Sequence, residues 1–348
     1  MKKTILSAAC LIGVVFMNAA SAAAQGQFGS LTEEEYVNQQ AAAQEAESAG
    51  TESVRAWHES LKNSPPQRQG CFRAYFPSPR WEEETCGPPP NYRSDPSITQ
   101  TVGNGYDYSA KTSSLTRSAI GNFPSETGVT SASSGGYTLQ LNTNISSSSP
   151  VCAAYGYSSC QTWEQFIYSS SYPGNAGTGV SGPQAFIQDW LFIPKGKRCP
   201  RSWNSYKTSS YNGCYRNSNG VAAPAVALTG LANAQLSGAA SMSGNDTVTF
   251  SYNGVAHAVS QAGNTLDIGA VWNESEFNVV GNGGGSAATF NSGSHLTVKL
   301  AVTDGTSNTP GCIGPSNGGT TGETNNLNLG PCTATGGSAP YIQFTESN

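Results

Sequence analysis

Hydrophobic and polar positions divide the chain into three stretches. An apolar run fills 5–17, preceded by Lys2 and Lys3 and followed by Ala20-Ser21-Ala22. A positive start, a short apolar core and a small-residue cleavage site predict an export leader over 1–22. The run is shorter than the roughly 20 apolar residues that cross a bilayer. The next stretch, 31–63, is rich in Ala, Glu and Gln and predicts helix, with Thr32 and Glu35 in capping-box spacing and Pro65-Pro66 as the stop. It belongs to an N-terminal region spanning 23–97, read either as a surface helix packed on the main domain or as a propeptide.

From residue 98 to 348 the period changes to two. Alternation over 137–142, 166–171 and 184–193 predicts strands. The clearest element is a hairpin, 247–252 and 255–260 around Asn253-Gly254, because both central turn residues need positive φ. In 295–303, Leu296, Val298, Leu300 and Val302 share one face, and 341–345 reads as a closing strand. Many short strands with regular turn signals predict an all-β sandwich or jelly roll, for which roughly 250 residues is an ordinary single-domain size. There is no helix–strand rhythm to suggest a parallel α/β sheet.

Composition sharpens this picture. Charged residues are 11%, glycines number 40, and the net charge of −5 lacks the basic stripe that nucleic acid requires. Of nine cysteines, Cys10 falls in the leader. The rest form neighbouring pairs: Cys71 with Cys86, Cys152 with Cys160, Cys199 with Cys214, and Cys312 with Cys332. Each pair brackets a Gly/Pro/Ser/Asn-rich stretch, so nearest-neighbour disulfides are expected, although eight cysteines permit 105 pairings. Zinc is disfavoured by the absence of C-x-x-C and by three scattered histidines, His58, His257 and His295. No metal or cofactor is expected. The mature protein is expected to be a monomer, secreted or periplasmic, off the membrane once its leader is cleaved.

Familiar catalytic signatures give no support: the one G-x-S-x-G, at 314–318, lies in a Gly/Asn/Thr-rich stretch without the strand–turn–helix pattern of a nucleophile elbow, and there is no H-E-x-x-H. His257, inside a hairpin strand, reads as structural. Two strands carry candidate chemistry. In 184–193, alternation puts Phe186, Gln188 and Trp190 on one face, an amide between aromatics such as could hold and orient an extended ligand. In 272–280, Glu274, Glu276 and Asn278 share a face, either as a solvated edge or with an acid placed for general acid–base work.

Together, QAFIQDW around Gln188 and SEFNVV around Glu276 resemble the eqolisins, a family of glutamic peptidases. The likeness runs from about 98 to 303. It includes the intervening hairpin and the Gly-rich turn and strand after the glutamate. Departures are Trp272-Asn273, where the family carries a cysteine, and an unmatched insert over 195–222. The resemblance implies a concanavalin-type jelly roll with a cleft across one concave sheet, a polypeptide substrate and activity in acid. It also implies an N-terminal propeptide. Glu276 would act as general base toward water and then as general acid toward the leaving amine. Gln188 would position the water and donate to the oxyanion, with Phe186, Trp190, Glu274 and Asn278 contacting substrate. Two alternatives stay open. One is a glycan-binding or glycan-cleaving jelly roll using Trp163, Trp190 and Trp203 as platforms and Glu274 with Glu276 or Glu164 as acids. The other is a non-catalytic secreted surface protein.

Overall fold

Thr32 and Glu35 close a capping box: the Thr32 hydroxyl accepts from Glu35 N at 3.2 Å, and the Glu35 carboxylate accepts from Thr32 N at 2.7 Å. The helix this starts is interrupted. Gly50, at φ 82°, separates α1 (Glu33–Ala49) from α2 (Thr51–Lys62), because that backbone conformation cannot continue a right-handed helix. Val54, Trp57, His58 and Leu61 of α2 are buried. In this computed structural model the described residues are 32–95, 105–130, 136–171, 182–207, 211–314 and 322–348. The leader expected over 1–22 lies outside them.

The strands, in chain order, begin with β1 (Gly70–Tyr75), β2 (Glu82–Glu84), β3 (Ser109–Lys111), β4 (Ser118–Thr127), β5 (Tyr137–Thr143), β6 (Gln161–Ser169) and β7 (Gln184–Pro194). They continue with β8 (Asn204–Lys207), β9 (Tyr211–Asn217), β10 (Val221–Ala222), β11 (Ala234–Ala239), β12 (Asn245–Tyr252), β13 (Val255–Ala262) and β14 (Glu274–Gly281). The last are β15 (Ala287–Ala288), β16 (His295–Thr303), β17 (Gly311–Ile313), β18 (Thr324–Asn325), β19 (Asn328–Thr335) and β20 (Tyr341–Ser347).

Two large antiparallel sheets form an all-β sandwich. The first runs β19-β20-β16-β4-β11-β12-β13-β1-β2, and the second β17-β3-β14-β5-β6-β7-β9-β8 with β10 on β7. The region read as helical over 23–97 therefore also contributes strands: β1 pairs with β13 from Gly70↔Ser260 to Tyr75↔Val255. Residues 195–222 are likewise sheet, supplying β8, β9 and β10.

The Asn253-Gly254 hairpin forms as read, with φ 46° and 78° at the turn. Between the sheets, Leu141, Phe166, Ile187 and Phe277 pack against Phe123, Leu236, Phe250 and Leu300. The sheets meet closely because two positions lack a side chain. A Cβ on Gly121 would sit 2.1 Å from the Phe277 ring, and one on Gly238 2.2 Å from the Phe166 ring. All four neighbouring cysteine pairs are disulfides.

Candidate functional site on the outer face of the second sheet

Strand register places the chemistry. Glu276 on β14 lies opposite Asn142 on β5, Asn142 opposite Gln165 on β6, and Gln165 opposite Gln188 on β7. Beyond β7 the row continues to Asn217 on β9, and on the other side of Glu276 it ends at Ser109 on β3. Directly opposed residues share a face. Their sequence neighbours Leu141, Phe166, Ile187 and Phe277 point into the core, so this row of polar side chains lies on the face turned away from it.

Glu276 is 4% exposed, and its Oε2 has no hydrogen-bond partner among the described residues. Burial drives its pKa well above the usual carboxylate range, and the charges of Asp107 and Glu274 push the same way. Asn142 Nδ2 stands beside this carboxyl and opposes the shift without making a well-formed hydrogen bond. Asp107 is itself raised by burial to about 7, while accepting from Asn278 Nδ2 at 3.0 Å. Asn278 Nδ2 also donates to Glu346 Oε1 at 2.6 Å, and burial raises that carboxyl too.

The two glutamines of the row differ in what they hold. Gln188 Nε2 donates to Tyr92 O at 3.0 Å and Asn217 Oδ1 at 2.7 Å; its Oε1 accepts from Ser94 N at 3.3 Å and Trp190 Nε1 at 2.9 Å. Every hydrogen-bonding position of that amide is taken, and none is taken by Glu276. Strand spacing puts β7 about 14 Å from β14, three steps of about 4.8 Å, whereas β6 is two steps away at about 10 Å. Gln165, the amide on β6, donates to Asn142 Oδ1 at 3.1 Å and Gln140 Oε1 at 3.0 Å. The structure thus puts Gln188 and Glu276 on one face and one row but does not bring them together; Asn142 and Gln165 stand between. Sequence reading passed over Gln165, although alternation through Trp163, Gln165 and Ile167 gave it the same outward placement.

The residues expected to contact substrate are all buried on this face. Phe186 packs under Tyr92, with ring centroids 5.3 Å apart. Trp190 donates to both Gln165 and Gln188. Glu274 accepts from Ser109 Oγ at 2.7 Å and pairs with Lys111 at 3.5 Å. Asn278 is held between Asp107 and Glu346.

For the glycan alternative, the geometry corrects two expectations. Trp163 and Trp190 are fully buried in an aromatic stack with Phe192, so neither offers a sugar platform. Glu164 faces the core, opposite Asp189, because alternation on β6 turns it away from Gln165; it cannot pair with Glu274, which shares the outward face with Glu276. His257 bonds Glu84 through Nδ1 at 3.1 Å, on the far sheet. Among the described residues, no group of three or more His, Cys, Asp or Glu side chains is placed to hold a metal ion.

No family model matches the chain, and no curated protein matches it. Among solved structures, it is similar to the crystal structure of scytalido-glutamic peptidase with a peptide based transition state analog. That similarity has 12% identity and TM-score 0.28, over 71% of this chain and 99% of that one. At that score the superposition assigns no residue a role.

Proposed function

We propose that this protein is an exported, acid-acting peptidase of the glutamic type, with Glu276 as its acid–base group and Gln165 as the amide that meets the developing charge. The observation that carries the reading is the single row Glu276–Asn142–Gln165 across adjacent strands on one face. A carboxyl and an amide two strands apart are spaced to take a water and a peptide carbonyl between them once the Asn142 side chain, which now lies between them, swings aside. Four disulfides suit an oxidising compartment.

In this mechanism, the Glu276 carboxylate takes a proton from water as the water oxygen attacks the carbonyl carbon. Gln165 Nε2 donates to the oxyanion, leaving its present partners to do so. The carboxyl then returns the proton to the amine as the C–N bond breaks. Gln188 binds rather than reacts, since its amide is committed elsewhere. The chemistry needs water at Glu276. Burial favours the protonated carboxyl, so this mechanism requires the site to be uncovered before Glu276 acts as base. Hydration of the site would bring its pKa down into the acid range.

The test is digestion of a denatured protein substrate from about pH 3 to pH 7, read by mass spectrometry, with Glu276→Gln alongside. Acid cleavage that disappears in the variant supports the reading. A folded protein that stays inert in acid after its N-terminal region has been removed overturns it.

A further inference from the structure

Residues 90–95 cross the outer face of the second sheet as an extended peptide. Pro90, Tyr92 and Ser94 are buried, while Asn91 is exposed and Arg93 and Asp95 are partly so, the alternation of a strand lying on a surface. Their main chain is read in sequence. Asn217 Nδ2 donates to Pro90 O at 2.6 Å and Tyr92 O at 2.8 Å. Gln188 takes Tyr92 O and Ser94 N with its two amide atoms, and Gly284 N donates to Arg93 O at 3.1 Å. An amide side chain that engages a carbonyl at one residue and an N–H two residues later recognises backbone, whatever the sequence.

One side chain adds selectivity. Tyr92 sits in a cluster with Ile167 and Phe186, and its hydroxyl accepts from Gln140 Nε2 at 2.9 Å. Gly283 keeps the opposite wall close, since a Cβ there would lie 3.0 Å from the Tyr92 ring. An apolar slot with one amide donor at its end matches a phenol.

We propose that Gln188, Asn217 and the slot formed by Ile167, Phe186 and Gln140 are a substrate subsite for an extended polypeptide bearing a tyrosine, filled in this form by the chain's own residues 90–94. The inference rests on the peptidase reading above and deepens it. Gln188 and Asn217 are positioning residues for substrate main chain, and the slot sets the preference for an aromatic hydroxyl. Residues 90–94 compete with substrate for it.

The experiment uses the full chain with Tyr92→Ala, which empties the slot, and the capped peptide acetyl-PNYRSD-amide carrying a fluorophore. Binding is read by fluorescence anisotropy at pH 7, where no cleavage is required. The expected result is saturable binding to the variant and none to the unaltered chain. A peptide with alanine for its tyrosine should bind at least about tenfold more weakly, and one with phenylalanine roughly three- to tenfold more weakly, the size of one hydrogen bond. If Tyr92→Ala does not fold, Tyr92→Val, which leaves the inner part of the slot and the Gln140 donor open, should show the same order of peptides. A folded variant that binds no peptide, or binds all three alike, overturns the proposal. Acid cleavage without tyrosine preference would sink the subsite and leave the peptidase standing. Selective binding without acid cleavage, with the N-terminal region removed, would do the reverse.

Discussion

Glu164 on β6 and Asp189 on β7 lie directly opposite one another on the core side of the second sheet. Asp246 joins them from β12 of the other sheet, and its charge raises the pKa of Glu164. Neither Glu164 oxygen meets a donor among the described residues; Asp189 accepts from Gln261 Nε2 at 3.0 Å and has Arg216 at 3.6 Å. Three carboxyls in so dry a place do not all ionise, and Glu164, which among the described residues has neither a donor nor a cation beside it, is the one most strongly held in its protonated form. Burial, with Asp189 nearby, pushes Asp246 up to about 7, and Glu164 is raised well above its ordinary range.

The fold is therefore expected to be an acid-stable one. A carboxyl whose folded pKa exceeds its unfolded value stabilises the fold fully below the unfolded value, and loses that contribution as pH rises through the folded one. For Asp246 and Asp107 the window runs from the ordinary aspartate range up to about 7. Within it each such group removes on the order of 1.4 kcal/mol per pH unit. Calorimetry should give a higher Tm near pH 4 than near pH 8, and Glu164→Gln should flatten the difference. A Tm that rises from pH 4 to pH 8 would contradict this.

The helical hairpin should respond in the opposite sense. His58 of α2 is buried against the first sheet, bonding the Ser251 hydroxyl through Nδ1 and the Ser237 hydroxyl through Nε2 at 3.1 Å. Burial, aided by Lys62, lowers its pKa to about 3, and Lys62 itself pairs with Glu59 at 2.8 Å. The undocked imidazole gains a proton below about 6.5 that the docked one refuses, so docking weakens as pH falls from there toward 3. At pH 4 the cost is on the order of 3 kcal/mol. Hydrogen exchange in α1 and α2 should quicken in acid while the sandwich core stays protected. His58→Gln, which carries no such charge, should abolish that acid response.

Gln165 and Gln188 should separate in kinetics. With substrate turnover measured in acid, Gln165→Ala should lower kcat by about 100- to 1000-fold with little change in KM, the loss of an oxyanion donor. Gln188→Ala should act mainly on KM. The reverse pattern would return the catalytic amide to Gln188.

Gly238→Ala should destabilise the protein by about 1–3 kcal/mol in urea unfolding, because its Cβ would enter the Phe166 ring. Phe166→Leu in the same chain should recover part of that loss. A neutral Gly238→Ala would mean that the sheets are free to move apart.

Local patterns carried far in this chain. The Asn253-Gly254 hairpin, the Thr32 capping box, the β16 strand and the four disulfide pairs form where the residues suggest, since each is specified within a few positions of sequence. Three features escaped because distant residues set them. Gln188 and Glu276 share a row, as alternation allowed, but sheet order decides that β5 and β6 intervene, and no local periodicity encodes sheet order. The burial of Trp163 and Trp190 depends on a stack closed by Phe192 and Tyr215, with amide partners on β6 and β7 for the Trp190 indole. The N-terminal region reads as helix for its composition, while β1 joins the sheet only because β13 offers it an edge.

The four disulfides span 15, 8, 15 and 20 residues, and none of their loops encloses another. Covalently, the molecule is a thread with four small rings rather than a closed net. A single backbone cut between Cys86 and Cys152 would leave two chains with no sulfur bridge joining them. After a cut that falls before β3, the earlier piece would be held by the β1–β13 ladder, the seating of Tyr92 and the helices. It would leave whenever those contacts failed, and a gel run without reductant would already show two bands.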